Sequence, residues 1–327
     1  MASIAAALPL RDLGSARSRT ATEPAILVEG LTKRYGTSVA VDGLSFAVER
    51  GEVFALLGPN GAGKTTTIEI LEGYRTADSG TVRVLGQDPR QRGDLRQRVG
   101  VMLQQSAIYP NIQVLEALRM FCAYYARPAD PQALLELIGL EEKAGARFKT
   151  LSGGQKQRLS LGLALAGNPD LVFLDEPTAS MDPQARLVTW EVIGGMRARG
   201  VTLVLTTHYL EEAQRLADRV AIVDRGRLVA LDAPARLMAQ AGTTMVRFEA
   251  TPGLATAALA ALPGATAARE ERPGIYAVEG ENPDELLIEV AIWSRAQGAR
   301  LRELRVEHAT LEDVFLTLTG ERFREGE

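Results

Sequence analysis

Eight consecutive residues constrain this chain more than anything else in it. An apolar run, Val53–Leu57, leads directly into Gly58-Pro59-Asn60-Gly61-Ala62-Gly63-Lys64-Thr65-Thr66. The segment fits G-x-x-x-x-G-K-[ST], a pattern that needs a strand before it and a helix after it. Glycines at 58, 61 and 63 let the backbone curl until successive N–H groups converge on anionic oxygens. The helix that follows would aim its positive N-terminal end at the same point. Lys64 is then placed to reach the β- and γ-phosphates, and the Thr65 hydroxyl to ligate Mg²⁺. An ordinary glycine-rich turn before a helix is the bland alternative. The full pattern in the right context sets it aside and implies a nucleoside triphosphate site.

Such a cradle needs a carboxylate on a neighbouring strand to hold the metal. Leu171-Val-Phe-Leu-Asp175-Glu176 supplies it, with four apolar residues followed by two acids. Ligands of open α/β sheets bind beyond the C-terminal ends of the strands, where these acids would sit. Asp175 would hold Mg²⁺ directly or through water, and Glu176 would orient and deprotonate an attacking water. Around these two anchors short β-type runs alternate with helical ones. Ile26–Val28, Leu44–Val48, Thr81–Val84 and Val99–Leu103 read as strands, and Val114 to about Gly145 as a helical block. Leu171–Leu174 and Val201–Thr206 read as strands buried on both faces of a parallel sheet. Val220–Val223 and Arg227–Ala230 read as a hairpin. The predicted class is α/β, a P-loop NTPase with a mixed sheet and a helical subdomain.

Length and composition narrow the remaining choices. A chain of 327 residues is long enough for two domains. Its formal net charge of −4 argues against a nucleic-acid partner. The single cysteine, Cys122, excludes an internal disulfide and a cysteine-built zinc site. The longest uncharged stretch, Ala250 to Ala268, is weakly apolar and holds Pro252 and Pro263, so no membrane span is expected. Residues 1–24 are rich in Ala and Ser, with Arg11 placed after the apolar run rather than before it as in a secretory signal. They read as a disordered leader, with a transit peptide as the alternative. The expected domains are therefore 25–240 and 241–327.

Leu151-Ser152-Gly153-Gly154-Gln155 lies just before a helix, with Ser152 24 residues upstream of Glu176. On its own this is a polar loop capping a helix. Together with the cradle and the acids it resembles the signature segment of the ATP-binding cassette family, in particular a single nucleotide-binding subunit of an ABC transporter. The resemblance assigns further roles. Tyr35 is similar to the aromatic that stacks on adenine, and Gln104 to the glutamine that touches Mg²⁺ and senses the membrane partner. Here Leu103 replaces the commoner proline and Gln105 follows at once, so the register is open by one residue. Ser180-Met181-Asp182 resembles the loop that crosses the dimer interface, and His208 the histidine that contacts the γ-phosphate. His308 has no such setting and reads as structural. The resemblance implies that Ser152 and Gly154 contact ATP held by a second subunit, so that two copies close head to tail around two ATP molecules. Both halves look intact, which is consistent with a homodimer.

The segment from 242 onward has a different rhythm. Thr244–Glu249, Leu254–Leu262, Ala265–Glu270, Ile275–Glu279, Pro283–Gln297 and Leu301–Glu307 read as βαββαβ, the order of a ferredoxin-like α+β domain. An amphipathic helix, Leu311–Leu318, follows. The ending Ala309-Thr-Leu-Glu-Asp-Val-Phe-Leu-Thr-Leu318 resembles the tail of daunorubicin- and multidrug-resistance-type ATPases. That implies an exporter of drugs or other hydrophobic compounds, whose integral-membrane permease subunits are separate chains. The ATPase would then sit at the cytoplasmic face of the membrane. Val114, Leu115, Leu118, Met120, Phe121, Tyr124 and Tyr125 give an apolar helix after Gln104, mostly core, and some of them would form the groove that receives a cytoplasmic helix of that subunit. An importer ATPase and a regulatory cassette without a membrane partner are the alternatives.

Overall fold

The computed structural model describes residues 23–103, 108–179, 181–240, 244–280, 282–307 and 309–320. The leader 1–22, Gln104, Ser180 and His308 lie outside the described residues. The chain divides into two compact units, the first running to Pro234 and the second starting at Ala235.

In the first unit the order is β1 (Ile26–Tyr35), β2 (Ser38–Val48), β3 (Val53–Leu57), α1 (Lys64–Leu71), β4 (Ser79–Val84), α2 (Arg92–Leu95) and β5 (Val99–Met102). It continues with α3 (Val114–Cys122), α4 (Pro131–Leu137), α5 (Gly153–Ala164), β6 (Leu171–Asp175), α6 (Pro183–Ala198), β7 (Thr202–Thr206), α7 (Leu210–Leu216), β8 (Arg219–Asp224) and β9 (Arg227–Asp232). Six strands form one sheet in the order β5-β6-β7-β3-β8-β9. It is parallel except for the β8/β9 hairpin. Every residue of β3 and β7 is buried, which is why both read as unbroken apolar runs. A second, antiparallel sheet, β2-β1-β4, covers one flank. The core between them is built on Ile26, Val28, Val48, Ile68, Val84, Phe173 and the stacked rings of Phe46 and Phe54, whose centroids lie 5.2 Å apart.

The expected helical block does not run unbroken from 114 to 145. Helix α3 stops at Cys122, because Pro128 lies ahead and Asp130 opens a new helix by accepting the Gln132 N–H, with Pro131 at its first position. Tyr124 and Tyr125 therefore fall outside α3, Tyr124 being 67% exposed.

The second unit comprises α8 (Pro234–Gln240), β10 (Thr244–Glu249), α9 (Thr256–Ala260), β11 (Ala265–Arg272), β12 (Ile275–Gly280), α10 (Pro283–Ala296), β13 (Arg302–Glu307) and α11 (Leu311–Thr319). Its sheet order is β11-β12-β10-β13, antiparallel throughout. This is the ferredoxin-like arrangement that the βαββαβ pattern predicts. Phe248 and Tyr276 stack at its centre, 5.3 Å apart, beside Val246, Val278, Leu286 and Val290. The Tyr276 hydroxyl lies 3.0 Å from both the Thr251 carbonyl and Glu270 Oε1, and accepts the Leu254 N–H at 2.9 Å. Tyr276→Phe keeps the stacking and strands these partners. It should cost about 1–2 kcal/mol, read as a lower midpoint in thermal denaturation of the full chain.

Candidate active site

Strand β3 delivers the chain to the cradle and α1 carries it away, so the loop is pinned at both ends by buried elements. Two glycines are required by space. At Gly58 a Cβ would come within 2.2 Å of the Val223 carbonyl oxygen. At Gly63, which precedes α1 with φ 99°, a Cβ would lie 2.3 Å from the Ala40 carbonyl oxygen. Lys64 Nζ donates to the carbonyls of Gly58 at 2.6 Å and Pro59 at 3.0 Å. Burial holds its pKa below the usual lysine range, while the Glu176 and Asp175 carboxylates pull the other way. Ala62 is buried at the back of the loop, and its carbonyl accepts the Gly226 N–H.

The two acids close β6. Asp175 is in register with Thr206 at the end of β7, and the Thr206 hydroxyl donates to Asp175 Oδ1. Burial raises the Asp175 pKa, opposed by that hydrogen bond and reinforced by Glu176. Glu176 has a left-handed backbone, φ 51°. Its N–H donates to the Thr206 carbonyl at 3.1 Å, and its carbonyl accepts Gln157 Nε2 at 2.9 Å. Its carboxylate Oε1 lies 2.5 Å from His208 Nε2. His208 lies two residues past the end of β7, so two parallel neighbours present an acid and an imidazole at the same edge.

These groups share one cavity of about 550 Å³. Its walls are Tyr35, Ala40, Asn60, Gly61, Gly63, Lys64, Thr65, Thr66, Asp175, Glu176, Thr206, Thr207 and His208. Tyr35 is 43% exposed, with Lys33 Nζ 5.6 Å and the Arg75 guanidinium 5.5 Å from its ring centroid. The cavity thus offers a ring at one end and a cradle of amides with one ammonium at the other. Near that end negative charge outweighs positive. Asp175 and Glu176 face the single Lys64 there. Glu72, pushed up to about 8 by burial with Asp175 and Glu69 adding to it, is mostly neutral at pH 7 and adds nothing to that surplus. Lys64 is the only Lys or Arg among the lining residues. A hard divalent cation held by oxygen donors fits this surplus, with Thr65 and Asp175 on the cavity wall. No cluster of three or more His, Cys, Asp or Glu gathers for a metal among the described residues. A Mg²⁺ here would accordingly need phosphate oxygens besides those two.

Five expected site residues stand elsewhere. Ser152 caps α5, accepting the Gln155 N–H at 3.3 Å, while Gln155 Oε1 accepts the Ser152 N–H at 3.0 Å. Gly153 and Gly154 begin that helix, and none of the four lines the cavity. Asp182 caps α6 by accepting the Ala185 N–H at 2.9 Å, with Pro183 in the first turn, and also lies off the cavity wall. Sequence reasoning missed Thr206 and Thr207, although polar residues ending a buried strand were the available signal. It also missed Glu212, fully buried on α7, where Trp190 Nε1 donates to it at 3.0 Å and burial raises its pKa.

Residues 41–179 match the family model described as ABC transporter. Over 313 residues the chain is 41% identical to the Nod factor export ATP-binding protein I of Ralstonia nicotianae, covering 92% of this chain and 96% of that one. The chain belongs to the ABC transporter ATP-binding family. To the protein of the same description from Paraburkholderia xenovorans this cassette is 41% identical, over 93% of the chain and 99% of the relative. Among solved structures, the cassette is similar to an ATP-binding subunit of an ABC transporter. That match has a TM-score of 0.61 and 27% identity, covering 66% of this chain and 92% of that one. A dimeric cassette in a post-hydrolysis state with ADP and Pi shares the fold, with a TM-score of 0.59 at 23% identity, over 64% of this chain and 98% of the other. The protein is thus an ABC-type ATPase. No helix among the described residues is long and apolar enough to cross a membrane.

Proposed function

We propose that this ATPase powers an exporter whose membrane subunits are separate chains, two copies closing head to tail around two ATP molecules. One observation carries the dimer: the cavity and the N-terminus of α5 are both intact on the chain, yet Ser152, Gly153 and Gly154 do not line that cavity. A helix N-terminus favours an anion, and in a head-to-tail pair the phosphates held by the second copy would lie against this one.

In this reading Tyr35 stacks on adenine. The N–H groups from Gly58 to Thr66, with Lys64, take the phosphates, and Asn60 and Thr66 line the path to them. Glu176 accepts the proton of the attacking water, and His208, held against it, orients the γ-phosphate end. Thr65, Asp175 and Gln104 would hold Mg²⁺, which when bound would supply charge neutralisation on the phosphates. Gln155 supports Ser152, and Asp182 faces the partner copy. Catalysis is then positioning and electrostatics rather than covalent chemistry.

Export is supported by the relatives, which are described as Nod factor export ATP-binding proteins. The membrane subunits would select the cargo and hold the ATPase at the cytoplasmic face. Co-sedimentation of the full chain with lipid vesicles tests this. Sedimentation is expected only when the vesicles contain the cognate membrane subunit, and binding to bare lipid would contradict the reading.

A further inference from the structure

We propose that Gln157 is a positioning residue for Glu176, and that through it the signature helix controls the carboxylate of its own chain. This rests on the ATPase reading above. Helix α5 starts at the capping residue Ser152, and on its second turn Gln157 turns inward, only 8% exposed. Its Nε2 donates to the Glu176 carbonyl at 2.9 Å.

That bond lands where restraint matters. Glu176 holds φ 51°, a conformation costly for a residue with a side chain. Such strain persists only where the surroundings over-determine it. Three bonds do so at this residue: the sheet accepts the Glu176 N–H through Thr206 at 3.1 Å, and the Glu176 carbonyl accepts both Gln157 Nε2 at 2.9 Å and the Ala179 N–H at 3.1 Å. Without Gln157 the carbonyl keeps only the Ala179 bond of the turn that follows it, nothing ties it to α5, and the residue can relax toward ordinary backbone angles. The Glu176 Cβ then swings, and its carboxylate leaves the position 2.5 Å from His208.

The next residue of α5 points a different way. Arg158 Nη1 donates to the carbonyls of Ile138 and Gly139, each at 2.9 Å, just after α4. Neighbouring side chains of one helix therefore tie the segment after α4 and the Glu176 backbone to the same rigid rod. When the N-terminus of α5 meets the nucleotide of the partner copy, the rod shifts as a unit. Gln157 conveys that shift to Glu176, so each site becomes competent for hydrolysis when the other is filled.

The test uses the full chain with Gln157→Met, which removes the donor at similar length, and Gln157→Asn, which keeps it one methylene short. In both, kcat for ATP should fall about tenfold, the order expected for losing one positioned hydrogen bond. KM for ATP should hold, and so should the thermal midpoint, because the strained peptide relaxes. Ser152→Ala should also lower kcat, and its combination with Gln157→Met should lose little more than the worse single variant. Wild-type kcat in the Gln157 variants, failure of both to fold, or fully additive losses would overturn the proposal. Wild-type turnover in Glu176→Gln would instead overturn the reading on which it rests.

Discussion

Glu176→Gln should leave ATP binding intact and reduce steady-state turnover by about a hundredfold to a thousandfold, the loss expected for removing a positioned general base. The substitution is nearly isosteric, and glutamine bears the left-handed backbone of residue 176 no worse than glutamate. The Glu176 N–H bond to the Thr206 carbonyl and the Gln157 bond to the Glu176 carbonyl involve only its backbone and survive. What disappears is the proton acceptor 2.5 Å from His208. The cavity also loses one of the carboxylates that surround Lys64, so affinity for a polyanion should rise rather than fall. With hydrolysis blocked, ATP should hold two copies together, giving a dimer peak in gel filtration with ATP that is missing without it. Near-wild-type turnover would remove Glu176 from the mechanism. An inactive variant that stays monomeric with ATP would leave the chemistry standing and remove the head-to-tail closure.

The parts of this site that the sequence displays are those whose chemistry is local. A strand, a glycine loop and a helix start occupy consecutive positions from Val53 to Thr66, and Ser152 with Gln155 forms a capping box within four residues. Each can be read without knowing what packs against it. The second unit was legible for a related reason, since short apolar runs such as Thr244–Glu249 and Ile275–Gly280 alternate with helical segments in the order βαββαβ. The helical block at 114–145 is present but broken, because Pro128 and Pro131 impose a boundary through backbone sterics between two apolar helical stretches. Thr206 against Asp175 is set by the register of two parallel strands, and Gln157 against Glu176 by how α5 packs on the sheet. Neither relation has a sequence periodicity. Glu212 is the extreme case: by composition it is one more surface acid of a helix, and only packing against Trp190 reveals it as buried.

Lys64→Met should separate function from stability by moving them in opposite directions. In the fold the Lys64 ammonium is half-buried, and burial holds its pKa below the 10.5 of the free side chain. A base whose folded pKa is depressed opposes folding in its charged form. The penalty is fully present at neutral pH and fades only as pH rises through the folded pKa toward the unfolded one. Methionine fills the same space without charge, so the nucleotide-free variant should melt no lower than wild type at pH 7. The Gly58 and Pro59 carbonyls lose a donor, which offsets part of the gain. Asp175 loses a cation that lowers its pKa and should titrate higher still. Nucleotide binding goes the other way. The only Lys or Arg on the cavity wall is gone, and with it the charge-assisted bonds to phosphate. Affinity for ATP should drop about 100-fold, or ~3 kcal/mol. Titration calorimetry with ATP and thermal denaturation of the same sample check both signs at once. A variant that melts well below wild type while still binding ATP would show that the ammonium is a strut of the loop rather than its phosphate ligand.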